Sequence, residues 1–375
     1  MKIESRATRA EINLDNLKHN LSFFRNHLAE KTAIMAVVKA DAYGHGSVEV
    51  ARAAINNSAS WLAVAFVEEG IELRDHGIDA PILVFNPPFA EQVELYFEYD
   101  LTPTLFNQAT AMLFSEEASK RKENKNIHIK IDTGMGRIGI FPYTAAQSFI
   151  RSVKALPNLV VQGIYTHFAT ADEKDKSFAR KQLARFLHVV RSLKSKSICP
   201  PLVHAANSAA ALELPEAWLD MVRLGISMYG HYPSEEINKD VLPLKPLMSL
   251  KSRVSHLKEV PAGTCISYGC TYVTKGNTRV ATIPLGYADG YNRLMSNKTH
   301  VLINGKRLPL IGRICMDQFL VDVSTDPKVK EGDQVVLFGK QDRENIPVEE
   351  LAGTLGTINY EVLCAVGKRV PRIYS

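Results

Sequence analysis

The chain is 375 residues long, 46% hydrophobic and 23% charged, with a net charge of +5. That is the composition of a soluble globular protein, and the length calls for two domains rather than one. No block of like charges marks an arm for nucleic acid or membrane, although a mildly basic cleft for an anionic ligand stays open. The five cysteines, Cys199, Cys265, Cys270, Cys315 and Cys364, are odd in number and fit no metal-ligand or redox spacing, which suits a reducing cytoplasm. The opening MKIESRATRAEINLDNL has no apolar core and is not expected to act as a signal peptide. No apolar run reaches the ~18 residues of a membrane helix.

LDNLKHNLSFFRNHL reads as an amphipathic helix with Asp15 near its cap. A rhythm follows. AIMAVVKA, WLAVAFV, PILVFN, LTPTLF, IHIKIDT, VQGIYTHFA, PLVHAAN and MVRLGISMYG are eight candidate strands before residue 230. Most are separated by helix-favouring stretches such as SVEVARAAINNS, AEQVELYFEYD and TAAQSFIRSVKAL. The alternation implies a parallel sheet, and eight units in about 230 residues is the size of an α/β, (β/α)8 TIM-type barrel. A doubly wound open sheet is the competing architecture.

At GHYPSEEINKDVLPLKP, prolines and charges interrupt the rhythm and mark a linker. Beyond it LMSLKSRVSHL, RVATIPLG, HVLINGKRLPLIG, FLVDV and DQVVLFG are strand-like, with Asn-Gly at a hairpin turn. We therefore expect the barrel over residues 1–243 and a mostly β C-terminal domain over 244–375. Residues 1–11 are a candidate to pair with the C-terminal domain.

GMGRIG, residues 134–139, is a literal G-x-G-x-x-G after a strand and before a helix, the pattern of a dinucleotide site. That motif also calls for an acidic residue about 20 positions on, and none occurs between Asp132 and Asp172. The unit is also fifth in its series rather than first. The glycines serve equally well as a tight corner that turns Arg137 into a site.

In a barrel the active site lies at the carboxyl ends of the strands. Those ends carry Lys39 and Tyr43, then Lys130 leading to Arg137, then His167, then Asn207 and Ser208, then Arg223 running into Gly225 and Ile226. Singly, each has a plainer explanation: a lysine reaching water, a serine capping a helix, a histidine satisfied in the core. Gathered on one rim, they point to chemistry. A lone reactive lysine suits a Schiff base with an aldehyde cofactor such as pyridoxal phosphate, an electron sink. ANSAA and RLGISMYG place small residues and a hydroxyl where barrels customarily bind phosphate.

AVVKADAYGHG resembles the cofactor-lysine signature of the alanine racemase family. The resemblance runs on through IKIDTGMGRIG, HFATAD, ANSAA, MVRLGISMYG, ISYGCTY, IPLGYADGY and GRICMDQ to INYEVLC. It implies a barrel followed by a β domain, head-to-tail homodimers, pyridoxal 5'-phosphate and no metal. It implies that Lys39 is the Schiff-base lysine and the base on one face of the substrate. Tyr268 of the partner subunit would be the base on the other face. Arg223 would face the pyridine nitrogen. Tyr43, Ser208, Gly225, Ile226 and Tyr360 match phosphate-binding positions, and His167 would link Arg223 toward Tyr268. Arg137 and the backbone of Met316 would hold the substrate carboxylate. The implied reaction interconverts L- and D-alanine in the cytoplasm, supplying D-alanine for peptidoglycan.

These roles are physically consistent. One base cannot easily serve both faces of a planar carbanion, whereas an amine and a phenol on opposite sides can. Arginine has no acceptor, so it leaves a ring nitrogen unprotonated and the electron sink weaker than a carboxylate would. In IHIKIDT, alternation puts His128, Lys130 and Asp132 on one face. Burial beside Arg137 would make Lys130 reactive. The resemblance implies that Lys130 is carbamylated; a salt bridge to Asp132 or another acid is the plainer reading. Tyr268 and Tyr360 as a bulky pair at the entrance would favour alanine, with slow activity on serine.

Three rivals stand beside this reading. A decarboxylase of the same build must release the carboxylate that Arg137 would clamp. A non-catalytic cofactor carrier has no need of a second domain bringing Tyr268. A broad-specificity or serine racemase differs only in pocket size.

Overall fold

In the computed structural model, which describes residues 6–375, the chain opens with strand β1 (Arg9–Ile12) and a helix over Leu14–His27. That helix buries Leu17, Leu21 and Phe24, spaced four and three apart, and carries Asp15 in its first turn, where the helix dipole favours an acid. Then β2 (Ala33–Val37), β3 (Trp61–Val64), β4 (Ile82–Val84), β5 (Thr102–Leu105), β6 (Lys125–Lys130), β7 (Leu159–Tyr165), β8 (Leu202–His204) and β9 (Met221–Leu224) follow. They close into a parallel barrel in which β9 returns to β2. All eight lie on the segments expected from sequence, and closure excludes the open sheet. The strands are covered on both sides, which is why they read as short apolar runs rather than as alternation. Helices over Ser47–Ile55, Val67–Asp75, Gln108–Arg121, Ala146–Lys154 and Ser177–Lys194 occupy the crossovers.

The second unit is a ten-stranded sheet with a small separate hairpin. Its strands are β10 (Met248–Arg253), β11 (His256–Val260), β14 (Thr278–Ile283), β15 (His300–Ile303), β16 (Lys306–Ile311), β17 (Phe319–Asp322), β18 (Gln334–Gln341), β19 (Glu344–Ile346) and β20 (Arg372–Tyr374), joined by β1. The order is β11-β14-β17-β16-β15-β18-β10-β1-β20, with β19 beside β18. The hairpin pairs β12 (Cys265–Ile266) with β13 (Tyr272–Val273). Asn304 and Gly305 join β15 to β16 with φ of 51° and 70°, the mirror-image turn that Asn-Gly favours. Two short helices, Val348–Leu355 and Asn359–Cys364, interrupt the mostly β texture, and the second carries Tyr360.

Contacts do not divide the chain at 243/244 alone. Asn16–Ala42 and Ser47–Lys245 form the barrel unit, while residues up to Asp15, Tyr43–Gly46 and Pro246–Ser375 form the other. Strand β1 pairs antiparallel with β10 and parallel with β20. Of the expected N-terminal pairing segment, residues 1–5 lie outside the described residues. All five cysteines are free thiols.

Candidate active site

Lys39 follows directly on β2, and the chain then turns in an unusual way. Ala40, Asp41, Ala42 and Tyr43 have φ between 51° and 54°, and Gly44 has 82°. A left-handed conformation costs a non-glycine residue roughly 1–2 kcal/mol, so four in a row require fixing from outside. Ala40 N donates to Glu69 Oε1 (2.6 Å), and Ser47 N donates to Asp41 Oδ1 (2.8 Å). Arg372 Nε donates to Gly44 O (2.9 Å), and the Tyr374 hydroxyl donates to His45 O (3.2 Å). A Cβ on Gly44 would sit 2.5 Å from Leu363 O, so only glycine fits there. Strain of this kind concentrates at functional sites. Alanine, aspartate and tyrosine gave no hint of it in the sequence.

Strand β9 places Arg223 inside the barrel, 3% exposed. Its Nη1 donates to His204 Nδ1 (3.0 Å). Its Nη2 donates to Thr166 O (2.7 Å), Ala205 O (3.0 Å) and His167 Nδ1 (3.2 Å). Its Nε makes no hydrogen bond among the described residues. The guanidinium carbon lies 5.3 Å from the centre of the Tyr165 ring, and Lys130 Nζ lies 5.6 Å from the same centre. Tyr165 is held by its hydroxyl, 2.9 Å from Thr104 Oγ1.

No carboxylate pairs with Arg223 or Lys130 among the described residues. Burial pulls Arg223 down to about 10, which leaves it charged at neutral pH. Burial, and then Arg137 and Arg223, pull Lys130 down to about 7. Burial, and then Arg223, hold His167 well below the usual imidazole range, so it is neutral. The mouth therefore gathers the cations of Lys130, Arg137 and Arg223, with Asp132 the carboxylate that opposes them at Lys130, and Arg137 is its exposed member.

Asp132, an acid named in the plainer reading of Lys130, accepts from Gly134 N (2.8 Å) and Gly136 N (3.2 Å) through Oδ1. Those amides are thus closed to a pyrophosphate, and the next element is a short 3-10 turn, Tyr143–Ala145. A Cβ on Gly139 would lie 2.8 Å from Asp132 N. The G-x-G-x-x-G segment is a corner built around Asp132.

After β8, Asn207 caps the helix Ser208–Glu213 by accepting from Ala210 N (3.0 Å). Ser208 Oγ accepts from Gly225 N (2.9 Å) and Ser227 N (3.4 Å). The N–H of fully buried Ile226 makes no hydrogen bond among the described residues.

In the other unit the rings of Tyr43 and Tyr360 are 5.9 Å apart at 47°. Tyr268 lies on the loop between β12 and β13 and is 68% exposed. It borders an open groove of about 330 Å3 with Ser267, Cys315, Gln318, Phe319 and Leu320. Met316 is 53% exposed; its carbonyl accepts from Ala288 N (3.1 Å), and its N–H makes no hydrogen bond among the described residues. Arg369 steadies this loop by donating to Asp317 Oδ1 (2.7 Å) while pairing with buried Asp289 (3.3 Å).

Within the barrel unit Lys39, Lys130, Arg137, His167 and Arg223 are thus electrostatic neighbours, and Ser208, Gly225 and Ile226 share one corner. Tyr43 and Tyr360 form a pair in the other unit, where Tyr268 and Met316 lie on exposed loops. Sequence reading missed His204, Tyr165 and the carbonyl of Thr166 as partners of Arg223. A histidine in PLVHAAN, on an otherwise apolar strand, was the available signal.

The family profile described as "Alanine racemase, N-terminal domain" matches residues 12–233, and "Alanine racemase, C-terminal domain" matches 247–374. The chain is 50% identical over 367 residues to an alanine racemase of Carboxydothermus hydrogenoformans, covering 97% of this chain and 98% of that protein. Identity to an alanine racemase of Desulforamulus reducens is 50% over 365 residues, covering 97% and 98%. The solved alanine racemase of Clostridium difficile 630 superposes with a TM-score of 0.95 at 43% identity, covering 99% of this chain and 96% of that one. Its complex with cycloserine has a TM-score of 0.92 at 42% identity, with coverage of 99% and 96%.

Barrel, mouth and relatives define the class as an amino-acid racemase, an isomerase. The rivals, decarboxylase and carrier, fall away at this level of identity. The chain belongs to the alanine racemase family. No helix among the described residues is long and apolar enough to cross a membrane.

Proposed function

We propose that the chain interconverts L- and D-alanine with pyridoxal 5'-phosphate, in a homodimer whose sites are shared between subunits. The observation that carries this reading is Arg223, a buried guanidinium held by neutral acceptors, with one donor uncommitted and no carboxylate beside it.

The residues present fit that cofactor. Arg223 Nε offers a donor to an unprotonated ring nitrogen. The Ile226 N–H is a buried donor lacking an acceptor among the described residues, as a phosphate requires. Gly225 and Ser208 flank it, and Tyr43 and Tyr360 would supply phenols. Lys39 would anchor the aldehyde. When bound, the cofactor supplies the electron sink that acidifies the α C–H of the amino acid.

The remaining work falls to the chain's own groups. The Lys39 amine takes or returns the α-proton on one face. The phenol of Tyr268 of the partner subunit does the opposite on the other face, and reversing the direction exchanges the roles. The exposure of Tyr268 and Met316 suits groups that act in a neighbouring subunit. Arg137 and the Met316 N–H would hold the substrate carboxylate as a charge-assisted pair. Neutral His167 accepts from Arg223 at Nδ1, which leaves a proton on Nε2 to direct toward the Tyr268 phenol.

Lys130 fits carbamylation. An amine held to about 7 is largely uncharged at neutral pH and open to carbon dioxide. The carbamate would replace this cation with an anion beside Arg137. Intact mass with one added carboxyl is expected, and an unmodified amine in bicarbonate-containing buffer would refute it. D-alanine formed in the cytoplasm would serve peptidoglycan. Cycloserine, which a relative binds, is expected to inhibit.

The test is the chirality of alanine after L-alanine is incubated with purified protein and pyridoxal phosphate. Equal amounts of both enantiomers are expected. Unchanged L-alanine with cofactor demonstrably bound would overturn the reading, and serine would be the next substrate to try.

A further inference from the structure

Below the rim, the barrel axis holds a polar chain that the proposed proton transfers do not use. Arg223 Nη1 and His204 Nδ1 are 3.0 Å apart, and His204 Nε2 and His128 Nδ1 are 3.0 Å apart. Both imidazoles are completely buried. The His204 ring stacks on Tyr165, with centroids 4.9 Å apart and 11° between planes, and the His128 ring lies 5.2 Å from Trp61. At Gly163 a Cβ would lie 2.6 Å from the His128 ring, so the β6–β7 pair leaves room for the imidazole only because a glycine stands there.

The partners dictate the tautomers. Arginine can only donate. His204 Nδ1 must therefore accept, which places its proton on Nε2. That proton is donated to His128 Nδ1, so the His128 proton also sits on Nε2. A cationic His204 would set N–H against the N–H of Arg223. Burial, with Arg223 next in effect, keeps His204 well below its ordinary range, and burial takes His128 to about 3. The chain ends at His128 Nε2, which makes no hydrogen bond of normal geometry among the described residues but faces Gln162, whose Oε1 is the acceptor that acts on it.

We propose that His204 and His128 are positioning residues for Arg223, acting as a neutral, one-directional chain of donors that fixes the guanidinium plane. Neutral acceptors orient the arginine without neutralising it, which a carboxylate in the same place would do. Fixing the plane keeps Nε as the donor left for the site. Without His128, the Nε2 proton of His204 loses its buried acceptor, and Arg223 alone is left to favour that tautomer. The other tautomer would present N–H to Arg223 and release Nη1. The effect on rate rests on the racemase reading; the tautomer chain itself does not.

The test is nitrogen NMR of 15N-histidine-labelled holoenzyme, joined to kinetics of two variants. Two neutral rings protonated only at Nε2, unchanged between about pH 5 and 8, are expected. In His128→Phe the His204 ring is expected to become a tautomer mixture, and kcat to fall roughly tenfold, the size of one lost buried hydrogen bond. His128→Gln can still accept through its amide oxygen, and should restore the single His204 tautomer and most of kcat. Rings that titrate in this range, or carry their proton on Nδ1, would overturn the proposal. So would a His128→Phe protein with lowered Tm but unaltered His204 signals and kcat. A parent protein that fails to racemise alanine would sink the functional reading and leave the tautomer result standing.

Discussion

At the barrel mouth Arg223 and Ser208 are held by several partners within the protein, whereas the Tyr268 edge of the β domain leaves its candidate groups exposed. Arg223 has four acceptors for its Nη groups, and Ser208 Oγ takes two amides. Tyr268 and Met316 are more than half exposed, one on a loop and the other with an amide that donates to nothing among the described residues. The first region is arranged in advance, with charges fixed where reorganisation would be costly. The second is a surface suited to being completed by another subunit. On the proposed function, preorganisation and exposure are two ways of supplying one reaction, and substitutions in the two regions should fail differently.

The largest effect belongs to Lys39. Lys39→Ala should abolish racemisation to background and also remove α-proton exchange in D2O for both enantiomers, seen by proton NMR. Tyr268→Phe should lower kcat by roughly a hundred- to ten-thousandfold, yet keep exchange for one enantiomer, because the amine still serves its own face. Loss of exchange for both would erase the distinction between the regions. Arg137→Ala should act mainly on binding, raising KM roughly tenfold with a smaller change in kcat, as the loss of one charge-assisted contact predicts. A change confined to kcat would move Arg137 from holding the carboxylate to the chemical step.

The smallest effect is one of stability. Lys130 is held at about 7 against an ordinary 10.5. Burying its charged form therefore costs stability below about pH 7. Between that pH and the ordinary lysine value the unfolded state binds more protons, so the cost lifts as pH rises. In buffer free of carbon dioxide, Lys130→Met should raise Tm most in acid, with the gain shrinking above pH 7. A gain independent of pH would show that Lys130 is not buried as a strained cation.

The barrel was legible because each strand is a short apolar run covered on both faces, and because its candidate site residues sit at the ends of those runs. Lys39, Lys130, Arg223 and Ser208 could be placed on one rim for that reason. The left-handed turn after Lys39 could not be read, since Ala40, Asp41 and Tyr43 have no strong preference for positive φ; the partners that hold it, Glu69, Arg372 and Tyr374, are remote in sequence. The same distance hid the assignment of Tyr43–Gly46 to the β unit. His128 was placed on the face of Lys130 by alternation, but its link to His204 spans 76 residues and depends on space left by Gly163. The short helix bearing Tyr360 was masked by the strand-rich texture around it.

The most direct test of the shared site is complementation. Lys39→Ala and Tyr268→Phe proteins, each retaining at most about a hundredth of the parent activity alone, are unfolded together, refolded as a mixture and assayed for alanine racemisation. If each site draws Lys39 from one subunit and Tyr268 from the other, half the random dimers are mixed and each regains one intact site, giving about a quarter of the parent activity. No recovery, with mixed dimers demonstrated by mass, would contradict a site built from two chains.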